Sequence, residues 1–152
     1  MSVGSPEVAA LLTCHNRVQR TLACLYSLEA QEGSINPAVF LVDAGSSDGT
    51  AQLVQERFSG VTVIEAGPEL FWNGGMRVAL GHAHRQDPDY YLWLNDDVEL
   101  DADALLRLLE CHEDLAVTRP APTIVVGTTR DPITGVATYG GVVRPDRLRP
   151  LR

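Results

Sequence analysis

The sequence predicts an α/β fold with a mostly parallel, twisted sheet and helices on both faces. Short apolar runs of strand length alternate with segments of helical periodicity, four times in order. The chain has 152 residues, of which 45% are apolar and 21% charged. That composition is ordinary for one globular domain with a core of its own.

The first strand is predicted at Val8–Thr13, a continuous apolar run. A helix over Arg17–Glu29 follows, because apolar residues recur at helical spacing. These residues are Val18, Leu22, Leu25 and Leu28.

The second strand is predicted at Ala38–Val42, and the third at Val61–Glu65. Between them, Asp48 is a good N-cap for a helix over Gly49–Phe58. A loop over 66–73 then leads to a third helix at Gly74–Arg85.

The fourth strand, Tyr90–Leu94, is wholly aromatic or aliphatic and is predicted to be buried on both faces. Asp101 or Asp103 opens a helix that runs to His112. Weaker strand patterns follow at 124–128 and 136–139. No internal boundary interrupts residues 1–143, so we predict one domain followed by an Arg- and Pro-rich tail at 144–152.

Charge and composition exclude several functions. The net charge is −8, so nucleic acid is not an expected partner. The tail carries four Arg, which predicts at most a weak contact with a membrane surface, such as the inner face of the cytoplasmic membrane. The absence of Lys excludes Schiff-base chemistry and a Walker A loop. Three Cys without CxxC spacing favour a reducing cytoplasm, and no apolar run is long enough to span a bilayer.

Acidic residues directly follow the fourth strand. Asn95, Asp96 and Asp97 come after Leu94. Ligands collect at the carboxyl ends of strands in open α/β sheets, and carboxylates there suit a hard divalent cation with phosphates. Neighbouring residues on a strand point opposite ways, so one of the pair faces the metal, and we favour Asp97.

The ends of the first two strands carry further candidates. Asp43 is placed to accept hydrogen bonds from a base or a ribose, whereas Asp48 is better explained as a helix cap. Thr13-Cys14-His15-Asn16-Arg17 offers polar groups for a base or sugar. Asn16 alternatively caps the first helix.

The loop Phe71-Trp72-Asn73-Gly74-Gly75-Met76 precedes the third helix. Paired glycines at a helix start let backbone N–H groups approach an anion, and Trp72 is a candidate wall of a sugar or base pocket. Core packing explains Phe71 equally well.

Taken together, Thr13–Arg17, Val42–Thr50, Trp72–Met76 and Leu94–Val98 resemble the motifs of family-2 glycosyltransferases of the GT-A fold, in the same order. The resemblance covers about residues 8–110. Two segments are similar to those of bacterial rhamnosyltransferase-like members that build surface polysaccharides: the sequence Phe-Trp-Asn-Gly-Gly-Met and the later Tyr139-Gly140-Gly141.

The resemblance implies a nucleotide-sugar donor, UDP- or dTDP-linked, and a divalent metal, Mn²⁺ or Mg²⁺. It places Thr13, Asn16 and Arg17 in the nucleotide pocket and Asp43 on the base or ribose. Trp72, Asn73 and Gly74 would lie near the sugar nucleotide. Asn95, Asp96 and Asp97 would stand at the family's Asp-x-Asp motif, with Asp97 on the metal.

Members of this family use a catalytic carboxylate in a second, acceptor-binding half for inverting transfer to a hydroxyl. No matching motif follows Asp114, so no residue is assigned as the base, and the chain is expected to be truncated before that half. A non-catalytic nucleotide-sugar-binding module is therefore the alternative, and a nucleotidyltransferase is a weaker one. An edge left open by a missing half would favour self-association.

Overall fold

The computed structural model describes residues 5–33, 35–118 and 122–140. They fall into two compact units, one ending at Asp103 and the other beginning at Ala104. The strands of the first unit are β1 (Val8–Cys14), β2 (Ala38–Ala44), β3 (Val61–Ala66) and β4 (Tyr90–Trp93). Its helices are α1 (Val18–Glu29), α2 (Thr50–Arg57) and α3 (Phe71–Ala83). The predicted alternation of strands and helices is confirmed.

The four strands form one parallel sheet in the order β3-β2-β1-β4. The chain moves outward from β1 to β3, and α3 then carries it back to place β4 on the other side of β1. The order therefore reverses between β1 and β4. In open α/β sheets, a crevice for ligands opens at the carboxyl ends of the strands at such a reversal.

The core lies on both sides of β1, whose seven residues are all buried. On one face, Leu11 and Phe40 pack with Met76, Ala79 and Ala83 of α3. The small alanines let α3 approach the sheet closely. The helical spacing predicted for α1 is confirmed, since Leu22, Leu25 and Leu28 are buried. Each such side chain contributes roughly 1.5–3 kcal/mol by leaving water.

The prediction that the fourth strand is buried on both faces is wrong. Within the described residues, β4 pairs only with β1, so it is an edge strand. Tyr91 and Trp93 are 37% and 51% exposed. Aromatic content alone did not distinguish a central strand from an edge strand that presents aromatic rings to its surroundings.

The third helix begins earlier than predicted. A 3-10 turn at Pro68–Leu70 leads directly into α3 at Phe71, whose φ is +48°. The prediction places the start at Gly74, after a loop over 66–73, and glycine has a low intrinsic helix propensity. Gly74 and Gly75 instead lie inside the first turns, and Gly75 is buried. Tertiary packing, described below, overrides the local preference.

The second unit contains helix α4 (Ala104–Thr118) and a short antiparallel hairpin of β5 (Thr129–Arg130) and β6 (Ala137–Tyr139). The predicted strand at 136–139 is confirmed to within a residue. The one at 124–128 is wrong: this segment has no regular structure, and Ile124 is 91% exposed. Its β-branched residues have strand propensity but no partner strand among the described residues.

No helix in the described ranges has the length and apolar character needed to cross a membrane. The Arg- and Pro-rich tail at 144–152 lies outside the described residues.

Candidate functional site

Two loops meet at the reversal point of the sheet. Asn16 and Arg17 follow β1, and Asp96 and Asp97 follow β4. A cleft of about 350 Å³ opens here. It is lined by Arg17, Trp72, Asn95, Asp96 and Asp97. We call it the acidic cleft. Five of the residues predicted from sequence thus lie together.

Asp96 and Asp97 have different surroundings, as expected for adjacent residues. The Asp96 side chain is only 7% exposed and accepts a hydrogen bond from the Thr21 hydroxyl at 3.3 Å. Burial raises the pKa of Asp96, and the Asp97 charge adds to this, while Arg17 acts in the opposite direction. The Asp97 side chain is 31% exposed. Asp97 therefore presents the more accessible carboxylate to the cleft.

A row of polar side chains on α1 and just beyond its end holds the segment that contains these acids. Besides Thr21, the Cys24 thiol contacts the carbonyl of Asn95 at 3.5 Å, and Ser27 Oγ accepts from the N–H of Leu100 at 3.0 Å. One turn further on, the amide of Gln31 donates to the carbonyl of Asp101 at 2.9 Å. We call Thr21, Cys24, Ser27 and Gln31 the polar stripe. Their spacing of three, three and four residues was visible in the sequence and its meaning was missed.

Asn16 bridges the loops after β1 and β2. Its Oδ1 accepts from the N–H of Ser47 at 2.7 Å, and its own N–H donates to Ser46 Oγ at 2.9 Å. The residue has a φ of +51°, a conformation that Asn tolerates better than most residues. Asn16 therefore does not cap α1, and that alternative is wrong.

The cap of α1 comes from Asp48 instead. Its Oδ2 accepts from the N–H of Val18 at 3.0 Å, while its Oδ1 accepts from the N–H of Thr50 at 3.1 Å. One carboxylate thus satisfies the first N–H group of both α1 and α2. Hydrogen bonds, chiefly from the Thr50 hydroxyl, lower the pKa of Asp48. The predicted capping role is confirmed for α2 and extends to α1.

Asp43 lies in a second cleft of about 280 Å³, beside the β2 loop. The residue is 3% exposed, and its Oδ1 accepts from the N–H of Ser46 at 2.8 Å. Gly45 and Gly49 have φ values of +74° and +83°, as the tight loop requires. Other lining residues include Glu65, Gln52 and Gln55, which the sequence did not single out. We call this the Asp43 cleft.

Hydrogen bonds connect the two clefts. Asp43 bonds Ser46, Ser46 bonds Asn16, and the next residue, Arg17, pairs with Asp97. Asp43 and Asp97 are therefore on the same edge of the sheet, separated by β1.

The structure places the remaining predicted residues at different depths. Trp72 is 49% exposed and packs edge-on against Trp93, with ring centroids 6.3 Å apart. Asn73 is exposed and Gly74 half-buried, both in the first turn of α3. Thr13 is 5% exposed and lines neither cleft. It packs instead beneath Gly75.

The residues present fit a divalent cation that is bound partly by the protein and partly by another ligand. In the described part of the chain, no group of three or more His, Cys, Asp or Glu is arranged to hold a metal ion. The carboxylates of Asp96 and Asp97 are nevertheless close enough to share one cation, because the Arg17 guanidinium contacts both. This donor set fits Mg²⁺ or Mn²⁺ completed by substrate phosphates, and does not fit a resident ion held by protein alone.

Two solved structures with a similar fold have been determined with nucleotide ligands. One is S. aureus TarS, residues 1–349, in complex with UDP, at a TM-score of 0.62 and 18% identity. Another is the mannosyltransferase PcManGT from Pyrobaculum calidifontis in complex with GDP-Man and Mn²⁺, at a TM-score of 0.57 and 21% identity. The matches cover 86% and 85% of this chain, but only 38% and 37% of those chains.

This chain therefore spans well under half the length of either neighbour. No curated protein sequence matches it significantly. The sequence model of glycosyl transferase family 2 matches residues 10–140, almost the whole chain. On that match, the chain belongs to glycosyl transferase family 2.

Proposed function

We propose that this chain is the donor-binding part of an inverting glycosyltransferase that takes a metal-bound nucleoside diphosphate sugar. The observation that carries the proposal is the hydrogen-bonded link between two clefts at the reversal point of the sheet. One cleft offers a buried carboxylate and the other an accessible one. A nucleotide sugar has matching parts, a base with its ribose at one end and a diphosphate at the other.

In this proposal, Asp43 accepts hydrogen bonds from the base or ribose in the Asp43 cleft. Asp97 holds a divalent cation in the acidic cleft, and Asp96 supports it through its charge. When bound, the cation neutralises the departing diphosphate. Asn95 and Trp72 wall the space beyond, where the sugar would lie. Thr13 supports α3 from below and is not proposed to contact the ligand.

The polar stripe holds Asn95 and Asp96 against α1, and thereby the backbone that leads into Asp97. A ligand carboxylate held by second contacts loses less conformational freedom when it binds. Thr21, Cys24 and Ser27 on α1, with Gln31 just beyond it, therefore serve the site as well as the fold.

A uridine or thymidine diphosphate sugar is the proposed donor, by the resemblance to polysaccharide-building members. The TarS complex contains UDP, which supports the uridine form, and the PcManGT complex with Mn²⁺ supports the metal. We further propose a cytoplasmic protein that acts in polysaccharide synthesis, with weak contact between the tail and a membrane surface and with self-association. Each of these proposals can be tested independently of the donor site.

No described carboxylate beyond α4 is suited to be the catalytic base. Asp131 Oδ1 accepts hydrogen bonds from the N–H groups of Ile133 and Thr134 and from the Thr134 hydroxyl. These bonds lower the pKa of Asp131 and commit it to the hairpin turn. The second candidate is the alternative that the sequence offers, a nucleotide-sugar-binding module without turnover.

The test is calorimetric titration of UDP, dTDP, GDP and CDP, each with Mn²⁺ and with EDTA. Wild type is compared with Asp97→Asn and with Glu99→Gln, which removes an equal charge from an exposed position two residues away. We expect Asp97→Asn to lose the Mn²⁺-dependent part of the affinity, at least about tenfold, or ~1.4 kcal/mol. Glu99→Gln should stay within about twofold of wild type.

Equal affinity with Mn²⁺ and with EDTA, unchanged in Asp97→Asn, would contradict the metal role. Failure of all four nucleotides to bind would contradict the donor site itself. Incubation with a nucleotide sugar and candidate acceptors then separates the two functions. Release of free nucleotide shows transfer, and binding without release in every case supports the module.

A further inference from the structure

One nitrogen atom of Arg17 is shared by both acids of the acidic cleft. Its Nη1 lies 3.1 Å from Asp97 Oδ2 and 3.5 Å from Asp96 Oδ1. The Arg17 side chain is nevertheless 52% exposed and lines the cleft. Arg17 therefore bridges two carboxylates while part of its side chain remains exposed to the acidic cleft.

The two acids need a positive charge close by. Asp96 is nearly buried, its neighbour Asp97 carries the same charge, and its uncharged side-chain partner is the hydroxyl of Thr21. Removing a charged group from water is costly unless an opposite charge compensates it. Arg17 supplies that compensation when no ligand is bound.

A divalent cation held by Asp97 would compete for the same oxygen atom. A divalent cation bound to Asp97 Oδ2 would repel the guanidinium on that same oxygen, so each cation weakens the binding of the other. The Arg17 side chain can leave without moving the backbone. The N–H groups on either side of it, those of Asn16 and Val18, are fixed by Ser46 and Asp48 at 2.9 and 3.0 Å.

A guanidinium released from the acids would remain beside the incoming diphosphate. Its planar array of N–H donors matches paired phosphate oxygens better than a point charge does. We propose that Arg17 is an exchangeable resident cation, which bridges Asp96 and Asp97 in the free protein and transfers to the diphosphate when metal and nucleotide bind together. The inference rests on the proposed donor site.

The exchange has a thermodynamic consequence. Metal alone must displace Arg17 without giving it a new partner, so it binds weakly. Metal with nucleotide provides that partner, so each ligand strengthens the binding of the other. Coupling of this kind typically corresponds to about 5- to 150-fold in affinity.

Arg17→Gln tests the exchange, with Arg20→Gln as the matched control. Arg20 lies three residues further on, in the first turn of α1; it is 71% exposed and approaches Asp97 at the longer distance of 3.9 Å. Electron paramagnetic resonance and calorimetry measure Mn²⁺ binding without nucleotide. Calorimetry then measures UDP binding with and without Mn²⁺, or dTDP binding where that is the preferred nucleotide. Thermal unfolding verifies that both variants are folded.

We expect Arg17→Gln to bind Mn²⁺ alone about tenfold more tightly than wild type, because the competitor is gone, and Arg20→Gln to differ by about twofold or less. The ratio of nucleotide affinities with and without Mn²⁺ should fall in Arg17→Gln only. If Arg17→Gln binds Mn²⁺ alone equally or more weakly, or not at all, the exchange is overturned. If wild type still binds nucleotide in the presence of Mn²⁺, the proposed donor site stands even though the exchange is overturned.

Discussion

Gly75 allows α3 to lie directly on β1, and a single methyl group tests this contact. A Cβ atom built on Gly75 would lie 2.5 Å from Thr13 Oγ1 and 3.0 Å from Thr13 Cβ. Thr13 belongs to the buried strand β1, and its side chain is branched, so rotation exchanges one close atom for another. Gly81, near the other end of the same helix, has no atom within 4 Å of the corresponding position.

The two glycines therefore respond oppositely to alanine. Both substitutions gain about 1 kcal/mol of helix propensity. Only Gly75→Ala also overpacks the core, at a cost of about 1–3 kcal/mol. We expect Gly75→Ala to be destabilised by about 1 kcal/mol and Gly81→Ala to be stabilised by about 0.5–1 kcal/mol.

Urea unfolding followed by circular dichroism measures both free energies of unfolding. Thr13→Ala in the Gly75→Ala background supplies a further check, because it removes both branches of the side chain. Thr13 Oγ1 has no hydrogen-bond partner in the described part of the chain, so its loss leaves no buried group unpaired. The pair should show coupling of about 0.5–3 kcal/mol. Gly75→Ala that is as stable as Gly81→Ala would refute this account of the contact.

Two further predictions concern Asp48 and the cysteines. Asp48→Ala should lower the free energy of unfolding by about 1–2 kcal/mol, with Asp48→Asn intermediate because one carbonyl oxygen can serve only one helix. The pKa of Asp48 is lowered in the folded state, so its contribution to the free energy of unfolding is complete above the unfolded pKa and is lost as pH falls through the folded pKa. A difference in stability between wild type and Asp48→Ala that stays constant from about pH 7 to about pH 2 would contradict this. Burial, with the nearby Asp96 charge, raises the pKa of Cys24 to about 12, and burial also raises that of Cys14, whereas Cys111 is exposed. Iodoacetamide at pH 8 should therefore label Cys111 alone in the native protein, as peptide mass spectrometry would show, and rapid labelling of Cys24 would disprove the burial argument.

Strand and helix order was predictable because each element of the first unit carries its own pattern. Leu22, Leu25 and Leu28 repeat at helical spacing, and β1 is continuously apolar. The edge position of β4 was not predictable in this way, because strand order depends on contacts between distant segments. Ile124 shows the same limit, since β-branched residues favour a strand only where a partner strand exists.

The site was predictable at the level of strand ends and less so at the level of contacts. Polar residues after apolar runs correctly indicated the edge where Arg17, Asp96 and Asp97 meet. The partners of Asn16 and Asp48 lie about thirty residues away in the chain. Local preference therefore offered Asn16 as one possible cap of α1, whereas the cap comes from Asp48. Thr13 reads as a ligand-facing residue in sequence, yet its neighbour in space, Gly75, covers it.

The polar stripe on α1 also determines which part of this protein is able to close over a substrate. The chain from Asn95 to Asp101 is bonded to Cys24 and Ser27 of α1 and to Gln31 just beyond its end. A segment anchored this way behaves as a fixed wall and not as a lid. In the proposed function, the two carboxylates would therefore meet their ligand at a surface that is already in place.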